Sequence, residues 1–286
     1  MTLLLEGVGR SRRVRNRVAM GSIWLAVLAA AVPLAFVVTY LVRRGAGVLD
    51  WDFLTADIPI SSRLDGPGMG PAVLGTLLTT GAATAMAVPV GVLAAVYLNE
   101  YGGGRRLAAT IRFLADVMAG VPSIVMGLFV YTVWVLRYGQ TGFAGALALA
   151  CLMLPIVIRS AETALHLVPS DLREASTALG ARTSRTILSV VVPSALPGIV
   201  SGALLAVARA AGETAPLLFT IGTVTSVNSS LLEGTNTTLS AQIFGNARLP
   251  FFPAQQRAWG AAFTLVALVF VLTAVARLVA RRFTAR

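Results

Sequence analysis

The sequence predicts an all-α, polytopic membrane protein with six transmembrane helices. Of the 286 residues, 56% are hydrophobic and only 12% are charged, and the mean hydropathy is +0.80. Soluble domains carry about 25% charged residues. A helix needs about 20 apolar residues to cross the hydrocarbon core of a bilayer, and the chain contains six segments of about this length.

Five of the predicted spans contain no charged residue: Val18–Val42, Pro71–Leu98, Val117–Leu136, Tyr138–Ile158 and Ala258–Ala276. The remaining span begins near Ser194 and continues to about Thr220, and it contains both Arg209 and Glu213. Residues 1–45 therefore form a basic tail with the first span. Residues 46–286 form a core with five further spans and a loop at 169–193.

The distribution of arginine predicts the orientation of these spans. The tail before the first span, the Glu100–Arg112 connection, the Arg159–Arg185 connection and the segment from Arg277 together hold 16 of the 23 arginines. Cytoplasmic loops carry an excess of basic residues, so both termini and the 169–193 loop are expected in the cytoplasm. The first apolar run exceeds the 7–15 residues of a signal-peptide core, which predicts a retained signal anchor.

The composition also excludes several functions. A net charge of +11 is compatible with nucleic-acid binding, but the arginines flank apolar runs instead of forming patches interleaved with aromatic residues. All 23 basic residues are arginine, so a lysine-dependent P-loop and Schiff-base catalysis are both excluded. Cys151 and His166 are single, which rules out an intrachain disulfide and a Cys/His metal cluster. No nucleophile–base constellation is present, so no catalytic residue is predicted.

The predicted cytoplasmic loop, 169–193, has the signals of two short helices. Ser170 is expected to cap the first, whose residues Leu172, Ala175 and Leu179 share one face. Gly180 is expected to end it in a left-handed conformation, and a second helix is expected to start at Thr183 or Ser184 and end at Pro193. Such an element either docks into a groove on a partner or merely turns the chain.

The loop resembles a motif of the ABC-importer permeases. Glu174-Ala175, then Gly180, then Val190, Val192 and Pro193 match the spacing of the EAA loop of that family, with Ser176 in place of its second alanine. In the family this loop is the helix that docks on a separate ATPase subunit. The resemblance therefore implies that Glu174, Ala175 and Gly180 couple this chain to an ATPase.

The charges of the fifth span have two interpretations. Arg209 and Glu213 lie four residues apart on one helix face and can pair. They either neutralise each other as a structural pair, or Arg209 contacts an anion on a water-filled path, where its fork of donors matches a tetrahedral oxyanion. Counted from Ser194, Arg209 is expected roughly 20–24 Å along the helix, in the outer half of the membrane. Gly212 and Pro216 flank the pair and predict a broken or loosened helix.

A closer resemblance follows from longer stretches. GPGMGPAVLGTLLTT, AVPVGVLAAVYLNEY, GVPSIVMGLF and ARAAGETAPLLF are similar to the PstA-type permeases of bacterial phosphate importers, which have a type I, MetI-like fold. The resemblance implies a multi-pass protein of the bacterial inner membrane, with Arg209, Glu213 and Thr214 on the translocation path. It implies a PstC-type permease partner, two PstB-type ATPases that hold ATP and Mg²⁺, and a PstS-type binding protein. This chain is expected to hold no cofactor or metal of its own.

Two other functions remain open at this point. A permease of the same fold can carry another oxyanion, such as sulfate or molybdate, although GETAP after Arg209 argues against it. A secondary transporter or channel that works alone has no need of the 169–193 loop. Among the other charges, Arg112 and Asp116 are expected to form an interfacial salt bridge, and Arg159 and Glu162 to anchor the fourth span at the cytoplasmic surface. The long polar loop at 221–257 is expected to be functional or disordered.

Overall fold

The computed structural model describes residues 10–66 and 68–284, and this part of the chain is helical. Five of the helices are long and apolar enough to span a membrane. The α-helices are, in chain order, α1 Arg10–Gly45, α2 Trp51–Thr55, α3 Gly70–Val96, α4 Arg106–Gly120, α5 Ser123–Val130, α6 Leu136–Tyr138, α7 Gly142–His166, α8 Ser170–Ala178, α9 Thr183–Thr186, α10 Val192–Gly212, α11 Leu217–Thr220, α12 Leu239–Ala247 and α13 Phe252–Thr284.

Three π-helical turns lengthen the helices; the first extends α3, and the other two each join a pair of consecutive helices. They comprise Tyr97–Tyr101 after α3, Tyr131–Val135 between α5 and α6, and Ile187–Val191 between α9 and α10. The last turn makes one continuous span of residues Thr183–Gly212. The predicted helix end at Pro193 is therefore wrong. Pro193 lies in the first turn of α10, directly after the π-helical turn.

The third span differs from the straight crossing predicted for Val117–Leu136. Arg106–Gly120 and Ser123–Tyr138 meet at an angle of 106°. Val121 and Pro122 are extended between them, with ψ values of 129° and 136°. A residue before proline disfavours the helical region, so the sequence Val121-Pro122 breaks the span. The fold class is all-α with five such helices, or six if the bent pair counts as one span.

Helix α7 occupies the centre of the bundle. In its most apolar window 61% of the residues are buried, against 6% for the first span. The core between α3, α7 and α10 is built from small side chains such as Ala87, Ala150 and Ala206, with Met153 and Leu217 filling the space between them. Small residues let helix backbones approach closely in membranes. Helix α1 lies at the periphery and packs mainly against α13.

The helix bundle has two ends with different residues. The inner end holds Glu100, Arg106 and α8, and the outer end holds the connections 46–69 and 213–251. At the inner end, Arg112 on α4 pairs with Glu162 on α7 at 2.6 Å. Arg159 on α7 pairs with Asp116 and, at 3.1 Å, with Glu162. The predicted Arg112–Asp116 pair is thus wrong, because α7 packs beside α4 and offers each charge a partner across the interface.

The outer connection after α11 is ordered and packed onto the bundle. It contains α12, which sequence analysis did not predict, and α12 packs against α13 and α3. Thr238 caps it by accepting a hydrogen bond from the Ala241 N–H. The preceding residues Asn236 and Thr237 are buried although polar. The expectation of a functional or disordered loop is therefore corrected in one respect: this segment has a defined structure.

Candidate functional site

Arg209 and Glu213 form an ion pair at the outer end of α10. The Arg209 Nε donates to the Glu213 Oε1 at 3.4 Å, which is long for a charge-assisted hydrogen bond. The Arg209 side chain is 66% exposed on the single chain, whereas that of Glu213 is 17% exposed. One of five guanidinium donors is thus weakly engaged with Glu213. The free edge of the guanidinium is available to an anion.

The helix ends within this pair. Helix α10 stops at Gly212, and Glu213 is extended, with φ −69° and ψ 135°. Pro216 accounts for the break, because its ring in a continuous helix would clash with the carbonyl of residue 212. Gly212 does not need to be glycine for steric reasons, since a Cβ there would meet nothing within 4 Å and its φ is not positive. Sequence analysis placed both residues at the break, and the structure assigns its cause to Pro216.

The backbone around the break is held by neighbouring elements. The Glu213 N–H donates to the Ala210 carbonyl at 3.1 Å, and the Glu213 carbonyl accepts a hydrogen bond from the Ser240 hydroxyl at 2.9 Å. The Thr214 carbonyl accepts the Leu217 N–H at 3.1 Å and so starts α11. Pro216 is so close to α5 that a Cβ on Gly127 would lie 2.5 Å from its Cα. Glu213 is therefore bonded to α10 through its N–H and to Ser240 through its carbonyl.

The position of Arg209 along its helix is farther out than the sequence suggested. The continuous helix starts at Thr183 and not near Ser194. At 1.5 Å per residue, Arg209 lies about 39 Å along it instead of roughly 20–24 Å. The value from the sequence was short because residues 183–193, about three helical turns, were assigned to the loop.

A second candidate site is α8 at the inner end. Its predicted apolar face is exposed: Leu172 is 42% and Leu179 is 90% exposed. Gly180 follows with φ +80°, and the Ala181 N–H bonds to the Ser176 carbonyl while the Gly180 N–H bonds to the Thr177 carbonyl. These two bonds form a Schellman motif. The left-handed conformation predicted for Gly180 is confirmed.

Other details of α8 differ from expectation. Ser170 is the first residue of the helix rather than its cap; Pro169 occupies the cap position, and no side chain caps this helix end. Glu174 and Ala175 are exposed on α8. Together with the apolar face they give the inner end a surface of small, apolar and acidic groups that is exposed on the single chain.

Sequence reasoning missed the residues that connect these two sites to the bundle. Arg173 pairs with Glu100 at 2.9 Å, and Glu100 is only 9% exposed. At the outer end, the segment Asn236–Ser240 (the outer segment) lies behind the break and is buried. The sequence did contain a signal for the outer segment, because Thr238 followed by an apolar run is a typical helix cap. The sequence contained no signal for the Arg173–Glu100 pair, because its partners are 73 residues apart.

An all-helical, multi-pass protein with an exposed arginine at a broken span and an exposed helix at the opposite end has the features of a membrane transport component. The chain belongs to the family of binding-protein-dependent transport system inner membrane components, whose model matches residues 87–285. It is thus an integral membrane subunit of a transporter that works together with further subunits.

Curated relatives cover nearly the whole chain. The phosphate transport system permease protein PstA 1 of Mycobacterium tuberculosis is 41% identical over 283 residues, which are 96% of this chain and 90% of the relative. The PstA proteins of Mycobacterium leprae and Haemophilus influenzae are 41% and 37% identical, over 93% of this chain and 89% and 94% of their own lengths.

The fold matches a solved transporter. A structure of the inward-facing MetNI methionine ABC transporter superposes with a TM-score of 0.55 at 20% identity, covering 76% of this chain and 92% of that chain. At this identity the likeness establishes the fold alone. The MetI-like permease fold predicted from the sequence is confirmed.

Proposed function

We propose that the chain is the permease subunit of an ATP-driven importer of inorganic phosphate and forms half of the translocation path. The observation that carries the phosphate assignment is the 41% identity to a phosphate permease over 96% of the chain. The chain itself is the non-catalytic membrane component. We assign ATP and Mg²⁺ to separate ATPase subunits, since the sequence holds no lysine for a nucleotide loop.

The substrate contacts in this proposal are Arg209, Glu213 and Thr214. The exposed guanidinium of Arg209 supplies a planar fork of donors that matches two oxygens of a tetrahedral oxyanion. Glu213 supplies the selectivity. Phosphate near neutral pH keeps a proton and donates a hydrogen bond to a carboxylate, whereas sulfate has no proton to give and meets an uncompensated repulsion.

The partners follow from the same proposal. We assign the exposed surface of α8, with Glu174, Ala175 and the turn at Gly180, to docking on a PstB-type ATPase. Two such ATPases, a PstC-type permease and a PstS-type phosphate-binding protein complete the assembly. An apolar ridge as exposed as Leu179, at 90%, fits a groove on a partner better than a structural elbow.

The test is ATP hydrolysis by the complex reconstituted in liposomes with its binding protein. Phosphate should stimulate hydrolysis and enter the liposomes, and sulfate should do neither. Stimulation by sulfate or molybdate instead would replace the substrate in the proposal. Phosphate transport by this chain without any ATPase would identify a stand-alone transporter and end the proposal.

A further inference from the structure

Arg173 connects α8 to the inner ends of two spans. Its Nη2 donates to the Glu100 Oε1 at 2.9 Å and to the Leu165 carbonyl at 3.1 Å, and its Nη1 donates to the Val168 carbonyl at 2.7 Å. Glu100 lies in the π-helical turn that extends α3. Because the Glu100 side chain is only 9% exposed, this pair is far better shielded than an ordinary surface salt bridge. A displacement of α8 therefore pulls on the inner end of α3.

The outer end of α3 is bonded to the outer segment, Asn236–Ser240. The Thr76 hydroxyl accepts the Leu239 N–H at 2.9 Å, and both residues are buried. At the adjacent residue the two backbones touch: a Cβ on Gly75 would lie 1.9 Å from the Thr237 carbonyl oxygen. Such contact leaves no room for the outer segment to slide over α3. The outer segment moves with the helix.

The outer segment in turn holds Glu213, through the hydrogen bond from the Ser240 hydroxyl to the Glu213 carbonyl at 2.9 Å. Arg209, by contrast, belongs to α10. Helix α10 has its own connection to α8, because the continuous span starts at Thr183 and the Ser176 and Thr186 hydroxyls are 2.9 Å apart. Two helices thus run from α8 to the two sides of one ion pair.

From these contacts we infer that α3 carries displacements of α8 to Glu213, and that the relative shift of α3 and α10 sets the separation of the Arg209–Glu213 pair. Arg173 and Thr76 are positioning residues. Arg173, on α8, contacts the inner end of α3 through Glu100, and Thr76 lies near the outer end of α3. The pair is already 3.4 Å long, so a shift of about 1 Å removes it, since hydrogen bonds do not extend to such distances. The guanidinium then binds an anion without competition. The inference rests on the proposed coupling role of α8.

The test uses two variants and two matched controls in the full complex. Arg173→Gln removes the link at the inner end, and Thr76→Val removes the acceptor for Leu239 at the outer end while keeping the side-chain shape. Arg106→Gln removes an exposed inner charge that forms no ion pair among the described residues. Thr79→Val removes an equally buried hydroxyl that bonds only to carbonyls of α3 itself. Phosphate uptake, ATP hydrolysis and ATPase co-purification are measured for each.

Arg173→Gln and Thr76→Val should each lower phosphate uptake per ATP hydrolysed by about tenfold, with ATPase co-purification and membrane abundance unchanged, while both controls stay near wild type. The double variant should be no worse than the poorer single variant, because both changes interrupt the same connection. Multiplying effects, of about a hundredfold in the double variant, would overturn the inference, as would equal effects of Thr76→Val and Thr79→Val. Loss of ATPase binding in Arg173→Gln would make Arg173 a docking residue instead. If the wild-type complex itself imports no phosphate, that result contradicts the proposed function and not only the inference about α3.

Discussion

The Arg209 guanidinium is exposed, whereas the carboxylate beside it is largely covered. This asymmetry favours the proposed substrate contact over the structural-pair interpretation. An ion pair with one exposed partner and a 3.4 Å contact contributes little to stability, at most about 1 kcal/mol. Glu213 engages one guanidinium donor at a long distance, so Arg209 keeps further donors for a contact with the substrate.

We predict that Arg209→Gln leaves the subunit inserted and assembled but lowers phosphate uptake by about 10- to 100-fold, the effect of losing charge-assisted hydrogen bonds. Arg209→Lys should restore only part of the uptake, because an ammonium cannot reproduce bidentate geometry. Membrane abundance and uptake are measured together for both variants.

The structural-pair interpretation gives the opposite pattern. Arg209→Gln would then leave Glu213 unpaired and reduce abundance, and Glu213→Gln in the same chain would restore both abundance and uptake. A double variant that transports phosphate normally would contradict a substrate role for Arg209.

Gly180 offers a test of the α8 surface that depends on backbone conformation alone. A Cβ at this position meets nothing within 4 Å, yet φ is +80°. We predict that Gly180→Val costs the turn about 1–2 kcal/mol and weakens ATPase association, whereas Gly180→Asn, which tolerates the left-handed region, stays close to wild type. Co-purification of the ATPase measures both. Equal behaviour of the two variants would show that conformation at Gly180 is irrelevant to docking.

The residues found from the sequence share one property, which is that their signals are local. Arg209 and Glu213 stand out against an apolar span, and Gly180 follows a run of helix formers. The contacts that were missed or assigned wrongly are tertiary. Arg112 has Asp116 four residues away, the spacing of a helix pair, but the packing of α7 gives it Glu162, 50 residues on. Spacing rules describe an isolated helix and contain no information about its neighbours.

Helices α4 and α7 are joined by a brace of four charged side chains, Arg112, Asp116, Arg159 and Glu162. Glu162 joins both arginines and is 16% exposed, while Asp116 is 62% exposed. The Arg112 Nη2 also donates to the Leu98 carbonyl at 2.9 Å, which brings the end of α3 into the same network. This brace holds α4 against the bundle at the inner side of the 106° bend.

We predict that Glu162→Gln destabilises the subunit by about 1 kcal/mol, since it leaves two arginines with a weaker partner, while Asp116→Asn costs less than about 0.5 kcal/mol because its carboxylate is solvated. The temperature at which each purified variant loses its monodisperse state in detergent measures the difference. A larger loss for Asp116→Asn would contradict the ranking.

The spans themselves were largely predictable, because 20 apolar residues leave few alternatives in a bilayer. Hydropathy cannot locate a change of direction, and the apolar run continues through Val121 and Pro122, where the span bends. Hydropathy also misplaced the start of the fifth span, because the polar residues at Thr183 were assigned to a loop although the helix already begins there. Helix α12 was missed for a related reason: its polar residues point into the protein at Ser240 and Asn246.

For the molecule as a whole, the arrangement of arginines predicts one orientation in the membrane. Sixteen of the 23 arginines belong by sequence to the segments predicted to be cytoplasmic, and the inner end carries the exposed α8 surface. Docking on a cytoplasmic ATPase requires that the α8 surface and the arginine-rich segments lie on the same side of the membrane. The positive-inside rule and the proposed function therefore lead independently to the same topology.

We predict that a cysteine at position 182 reacts with membrane-impermeant reagents only in broken cells, whereas a cysteine at position 229 reacts in intact cells. Both Arg182 and Ser229 are exposed on the single chain, at opposite ends. The background is Cys151→Ala, which removes the one native thiol. Labelling of position 182 from outside would reverse the orientation and exclude the ATPase site at α8.

The peripheral position of α1 has a consequence for biosynthesis. Its main neighbour in the chain is α13, which it meets through the edge-on contact of Tyr40 with Trp259, 4.9 Å between ring centroids. These two aromatic rings are 219 residues apart along the chain. At roughly 5–20 residues per second, a ribosome needs about 10–40 s to deliver them. During this interval α1 resides in the lipid, anchored by its own hydropathy, and its docking on α13 is among the last steps of folding. A ribosome that stalls before residue 252 leaves α1 accessible to membrane chaperones and proteases.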